Sequence, residues 1–307
     1  MPALVAGIHV FEKAWMAGTS PAMTTEDYMT LDPRINAFRP DLAASHLTGR
    51  VEAARFVEGT PYRVIDPVAS VRRDPSPDAP LMTQALHGET VTVYETTDEG
   101  WAWGQLASDN YVGWLATNAL GAPGPAPTHK VSALRTLAFP GPDIKLPPLA
   151  GLPMGATLSI ARAHARFAVT AEGWYIPATH LAPLDAHAAD FVAVAAQFLG
   201  TPYLWGGKTS LGLDCSGLTQ VALQAAGIPC PRDSDMQEAA FGPPVPLDQL
   251  RRGDLVFWKG HVAIARDATT LLHANAHHMA VAHEPVSAAI ARIEATGSKM
   301  TSVRRPV

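Results

Sequence analysis

The sequence predicts an α+β protein, strand-rich through its middle and then turning to helices followed by a run of strands. Three observations carry this. Prolines (27) and glycines (24) make up about one residue in six of the 307, which favours turns and short strands over a helical bundle. Apolar and polar residues alternate in short runs over 61–184. Two helical periodicities open 185–307, and four strand patterns follow them. The length suits two domains or several small ones. At 47% hydrophobic residues the chain can bury a sizeable core, and a net charge of −5 leaves no basic excess for nucleic acid or an anionic membrane.

Residues 1–60 carry few strand signals. Over 34–58 charge and apolar residues mix without a clean period, which reads as an N-terminal arm, partly irregular, with one short helix. The apolar run 3–11 lacks a preceding Lys or Arg and is followed at once by Glu12 and Lys13, so it does not read as a cleaved signal. No apolar run approaches the ~18 residues of a membrane span. Cys215 and Cys230 are 15 residues apart. A helix between them would hold them roughly 20 Å apart, too far for a disulfide. Two free thiols fit a reducing compartment, and the expected location is the cytoplasm.

The next two segments look alike. In Thr90-Val91-Thr92-Val93-Tyr94 the valines take one face and the threonines the other, the period of a half-buried strand. A turn at Thr96–Gly100 leads to two aromatic-rich strands, Trp101–Trp103 and Tyr111–Leu115. The pattern HGETVTVYE…EGWAWGQL recurs as MGATLSIAR…EGWYIPATHL, matching Gly88 to Gly155 and Gly100-Trp101 to Gly173-Trp174. Two small β-barrels follow, over 61–122 and 128–184, joined by the Pro/Gly linker Gly121–Thr128. Both copies resemble bacterial SH3-like domains.

Over 185–307 the period changes. Phe191, Ala195, Phe198 and Leu199 share one face of a helix spanning Asp190–Leu199, ended by Gly200 and Pro202. Leu218, Val221, Ala222 and Ala225 share a face of a second helix, Ser216–Ala226, stopped by Gly227. Strands are expected at Leu255–Trp258, His261–Ala265, Thr270–Ala274 and Met279–Ala282.

The chemistry concentrates in GTPYLWGGKTSLGLDCSG, where a glycine-rich loop delivers Cys215 to the start of the second helix. Unpaired N–H groups and the positive dipole end favour the thiolate there, and thiolate is the nucleophile. Cys230, between two prolines, reads as a buried structural cysteine. A cysteine nucleophile needs an oriented base. His261 opens a strand just after Gly260, and a tight turn near Arg266–Thr269 brings His273 on the next strand roughly opposite it. One imidazole could then hold the other in its working tautomer. Acid should slow such a pair through the ordinary histidine range. His273, His277, His278 and His283 also cluster, but no HExxH motif is present, and no metal is expected.

The set DCSGL, RRGDLVFW, GHVAI and LHAN closely resembles the NlpC-type peptidases, papain-like cysteine enzymes of bacterial cell-wall peptides. With two SH3-like domains in front, the chain resembles the γ-D-glutamyl-L-diamino acid endopeptidases of murein peptide recycling. The resemblance implies a papain-like catalytic domain over 185–307, a murein peptide substrate, and no cofactor or metal. It implies Cys215 as nucleophile, His261 as base and His273 as the polar orienter. Tyr203 would hold the substrate or the oxyanion. Asp214, Ser216, Asp233 and Ser234 would line the groove near the D-glutamyl unit, with local helix capping as the competing role. In the recycling enzymes a tyrosine and an acid of the first SH3-like domain receive the free amine of an N-terminal L-alanine. Tyr111 fits the tyrosine, and where a glutamate is expected this sequence offers Asp78. A catalytically weak cell-wall-peptide binding protein, or a related Cys–His amidase or acyl transferase, is the alternative.

Overall fold

The computed structural model describes residues 31–306. The apolar run at 3–11, and with it most of the first half of the arm, lies outside the described residues.

The expected alternation becomes the strand Thr90–Thr96, with Val91 and Val93 buried. It belongs to a seven-stranded antiparallel sheet. From one edge to the other the sheet runs Leu81–Leu86, Val68–Arg72, Val112–Ala116, Trp101–Leu106, Thr90–Thr96, Thr60–Val64 and Leu120–Gly121. Its inner face packs Val64, Val71, Val91, Leu106 and Leu115 around Tyr111.

The same connectivity recurs in the second segment, split into three smaller sheets. Its first strand, His129–Val131, pairs with both Thr157–Leu158 and the closing strand Leu181–Pro183. In the first copy Thr60–Val64 likewise pairs with Thr90–Thr96 and with Leu120–Gly121. Gly88 and Gly155 take φ of 85° and 89° just before equivalent strands, a conformation that favours glycine.

The second Gly-Trp match is displaced by one strand. Gly100-Trp101 leads into the middle strand of its meander, whereas Gly173-Trp174 leads into the third, Tyr175–Pro177. The counterpart of that third strand is Val112–Ala116. Each is followed by a single 3₁₀ turn, Ala178–His180 or Thr117–Ala119, and then by the closing strand. Both glycines sit at positive φ, 84° and 88°. One turn chemistry therefore serves two different hairpins.

Residues 32–57 are packed rather than extended. Ala43–Ala44 pairs in parallel with Phe56–Val57, and Leu42, Ala43, Ala44 and Leu47 are fully buried. The short helix is a 3₁₀ turn, Ser45–Leu47. Arg39 lies over the Trp103 ring at 4.3 Å and pairs with Glu95, fastening the segment to the first sheet.

In the last part, helix α1 spans Phe191–Ala196, α2 Cys215–Ala225, α3 Ser234–Ala240 and α4 Val286–Glu294. The sheet order is Ala280–Pro285, Thr270–Asn275, His261–Ala265, Leu255–Trp258, Met300–Arg304, all antiparallel. Leu255–Trp258 is wholly apolar because both faces are covered. Leu255 and Phe257 join the core that holds Leu218, Val221 and Ala222 of α2, while Val256 and Trp258 face Ala289 of α4. Burying each such side chain is worth about 1.5–3 kcal/mol.

Helix α1 ends earlier than its periodicity predicts. After Ala196 the chain tightens into i→i−3 hydrogen bonds, Phe198 to Ala195 and Leu199 to Ala196. Three residues per turn instead of 3.6 rotates Leu199 off the apolar face, and it is 52% exposed. Among the described residues no helix is long and apolar enough to cross a membrane.

Candidate active site

Asp214 is the N-cap of α2, and its Oδ1 accepts the Gly217 N–H at 2.7 Å. Its Oδ2 accepts the Gly206 N–H at 2.7 Å, which fastens the glycine-rich loop to the helix start. Gly217 has no room for a side chain, since a Cβ there would lie 2.2 Å from the Gly207 carbonyl oxygen. Arg232, 1% exposed, grips both Asp214 oxygens at 2.9 and 2.7 Å. It also donates to Ser216 Oγ at 2.8 Å and to Thr83 Oγ1 of the first sheet at 2.9 Å. Asp214 and Ser216 thus spend their hydrogen bonds on the support of the helix start. Arg232 is absent from the sequence-based site, because a lone arginine between Pro231 and Asp233 carries no periodic signal.

Cys215 is the first residue of α2, 6% exposed, with the Val262 backbone near its sulfur. Burial pushes the thiol up to about 12, reinforced by the charge of Asp214. Here the structure reverses an expectation. The helix N-terminus favours thiolate, but burial and the capping carboxylate outweigh it, and the resting group is a thiol. Its proton must leave during the reaction.

His261, next along the chain from Val262, supplies the place for it. His261 Nε2 lies 2.9 Å from His273 Nδ1, and His273 Nε2 lies 3.0 Å from Glu284 Oε2. The ladder pairs Ile264 with Leu272 and Ala265 with Leu271, so the two histidines are diagonal rather than directly opposite. Arg292 donates to Glu284 at 2.9 and 2.7 Å and, as the largest influence, holds its carboxyl down at about 2.

An ionised Glu284 can only accept, which fixes every proton along the row. His273 carries its hydrogen on Nε2 and presents the Nδ1 lone pair to His261. His261 then donates from Nε2, and its Nδ1 is the free base. Burial lowers His261 to about 3, helped by His273, and lowers His273 to about 4 despite Glu284. Both rings are therefore neutral at pH 7, and the acid limb moves well below the ordinary histidine range. No hydrogen bond joins the Cys215 sulfur to His261 in this resting arrangement, a looseness usual before substrate binds.

Tyr203 is half-buried, with burial the main influence holding its phenol protonated and the Asp214 charge acting the same way. Its backbone N–H donates to the Met279 carbonyl at 2.9 Å, setting the loop against the histidine sheet. Tyr111 and Asp233, 122 positions apart, come together, with Tyr111 OH donating to Asp233 Oδ2 at 3.1 Å. Asp233 makes no side-chain cap on α3. Instead it takes Arg34 Nη1 at 2.9 Å, while Asp32 and Asp235 hold the rest of that guanidinium. Asp78 stays exposed, so the acid beside Tyr111 is Asp233. Ser234 opens α3, 9% exposed, away from these bonds.

A metal would find His273, His278 and Glu284 with ligand atoms within 4.8 Å of one another. Both His273 nitrogens are already engaged, and His278 Nδ1 faces Asn275 Oδ1 at 2.9 Å. A cation would have to break the histidine row to bind, so this donor set does not read as a built metal centre.

The bacterial dipeptidyl-peptidase Sh3 domain family matches residues 71–120, and the NlpC/P60 family matches residues 200–298. The chain is 34% identical over 200 residues to the γ-D-glutamyl-L-lysine dipeptidyl-peptidase of Bacillus subtilis, covering 59% of this chain and 65% of the relative. It is 36% identical over 104 residues to dipeptidyl-peptidase 6 of Lysinibacillus sphaericus, covering 33% of this chain and 38% of that one. The matched segments span less than two thirds of either relative. In the crystal structure of an NlpC/P60 family protein from Bacillus cereus the fold recurs with a TM-score of 0.69 at 21% identity, covering 80% of this chain and 99% of that one. The cysteine at a helix start and the histidines beside it lie in an NlpC/P60 family domain of papain-like fold, preceded by a bacterial SH3-like domain.

Proposed function

We propose that the chain is a cysteine peptidase that hydrolyses the γ-D-glutamyl–L-diamino acid bond of murein peptides through an acyl-enzyme on Cys215. The observation that carries this is the row His261–His273–Glu284, which leaves a neutral imidazole Nδ1 as the base beside a buried thiol. His261 Nδ1 takes the thiol proton as the sulfur attacks the γ-carbonyl carbon. The Cys215 N–H and the Tyr203 hydroxyl stabilise the oxyanion. The C–N bond breaks as His261 returns the proton to the leaving amine. Water, deprotonated by His261, then releases the acyl group and restores the thiol. Glu284 stabilises the imidazolium state through His273.

The substrate class rests on the relatives, of which the Bacillus subtilis enzyme is named for γ-D-glutamyl-L-lysine. A free N-terminal ammonium of the peptide would sit at Tyr111 and Asp233. The Tyr111 hydroxyl and the Asp233 carboxyl would offer it oxygen acceptors. Mass spectrometry of L-Ala-γ-D-Glu-diaminopimelate, free and N-acetylated, tests the reading with wild type and Cys215→Ala. Cleavage of the free peptide, lost in the variant, is expected. Binding of either peptide without cleavage would make this a binding protein, and cleavage at another bond would make it a related amidase.

A further inference from the structure

A cavity of about 570 Å³, which Cys215 does not line, lies where the two SH3-like segments meet α1 and α2. Leu86 of the first sheet, Val131 and Met154 of the second segment, Val194 of α1 and Val221 of α2 wall it. Gln224 and Ala225 mark its place on α2, about 13 Å along the helix from Cys215. Its size falls within the range of small-molecule sites, which are mostly apolar with a few placed polar groups.

Lys208 is the polar group that stands out. Its side chain is 1% exposed, and its ammonium has no hydrogen-bond partner among the described residues. The nearest acid oxygen, Glu89 Oε1, is 3.7 Å away, beyond hydrogen-bond reach. Glu89 already accepts the Leu86 N–H at 3.1 Å through Oε2, and burial raises its carboxyl toward the neutral form. A second ammonium, Lys130, lines the same space with Ser108. A buried ammonium has three donors to satisfy and is costly when left bare. Groups of this kind in folded proteins are matched by something. Water could meet the ammonium, but the apolar walls call for an apolar occupant.

We propose that this cavity binds a small amphipathic anion, its carboxylate on Lys208 and its apolar body along Val131, Met154, Val194 and Val221. Two lysines against one acid, Glu89, on the wall set the sign of the head group, and the three-part wall sets the shape of the body. Nothing in the peptidase reading requires this site.

Isothermal titration calorimetry of the full chain with decanoate, decylamine and decanol, each below its micelle concentration, tests it. Decanoate is expected to bind one-to-one, with the amine and the alcohol at least about tenfold weaker, the weight of one charge-assisted contact. Lys208→Met should weaken decanoate by at least about tenfold. Ala225→Phe, which fills the cavity and leaves the charges alone, should abolish binding. No binding to wild type, equal affinity for the three head groups, or undiminished binding by Lys208→Met each overturns the proposal. If circular dichroism shows Lys208→Met unfolded, Ala225→Phe decides, and one-to-one decanoate binding by that variant overturns it.

Discussion

Two carboxylate–arginine pairs flank the reacting residues, and they differ in burial. Asp214–Arg232 stands behind the cysteine, with side chains 9% and 1% exposed. Glu284–Arg292 stands behind the histidines, with Glu284 8% exposed and Arg292 27%. The first arginine spends its donors on three segments of chain. The second meets a single carboxylate whose other neighbour is a titratable ring. The sealed pair acts as a structural knot, and the pair open to water on one side tunes a proton.

Arg232→Met tests the knot and should have the largest effect. It leaves Asp214 buried and unpaired, a loss of about 3–5 kcal/mol, read as a lower urea midpoint. A loss below about 1 kcal/mol would make the pair no stronger than a surface one. Glu284→Gln tests the tuning. The protein should stay folded, with kcat/KM lower by about 10- to 100-fold, as when an outer partner of a functional histidine is removed. An unchanged kcat/KM would take Glu284 out of the row.

Acid separates the two pairs further. His261 and His273, held near 3 and 4 against an ordinary 6.5, are neutral in the fold. Above 6.5 they are neutral in the unfolded chain as well and add nothing to a pH dependence. Below 6.5 the unfolded chain binds protons that the fold refuses, and stability declines toward pH 4. Glu284, near 2 against 4.5, adds stability present above 4.5 and lost as pH falls toward 2. Urea midpoints should be level above pH 6.5 and fall below it, and a midpoint that rises on acidification contradicts neutral histidines. The peptidase rate should likewise hold through pH 6.5 instead of dropping there.

Tyr111→Phe removes one contact from Asp233. KM for the free-amine peptide should rise about tenfold, with the N-acetylated peptide unaffected. Equal changes for both would remove the amine from this corner. Arg292→Ala should lower the urea midpoint less than Arg232→Met does, since this arginine is partly open to water. It should move the acid limb of the rate, since Arg292 is the main group holding Glu284 ionised.

The contrast between the pairs also shows what sequence can carry. Strands Leu255–Trp258 and His261–Ala265 have the bounds that their apolar runs predict, because pattern and burial there are local. Cys215, His261 and His273 stand out by motif and order. Glu284 does not, because a strand ended at Ala282 stops two residues short of it. The true strand runs to Pro285 and places Glu284 diagonally across from His273. The polar residues His283 and Glu284 look like the end of a strand until a buried ring needs one of them. Arg232 is harder still, since its partners lie 18 and 149 positions away. The arm reads as irregular because its apolar residues follow neither period, yet Leu42 and Leu47 are fully buried.

Arg232 also bears on where this protein can be divided. A fragment beginning at residue 185 would keep the cysteine and both histidines, yet it would lose Thr83, the one hydrogen-bond partner Arg232 has outside that part among the described residues. It would also lose Gln84, which accepts the Lys208 N–H at 2.8 Å, and Asp109, which accepts from Gln220 at 2.9 Å. The segment that reads as a self-contained hydrolase is thus only half of a folding unit. The first SH3-like sheet serves as internal scaffolding for the catalytic loop as much as a wall of its cleft. Insertions or swaps in this chain should respect that shared seam rather than the family boundary.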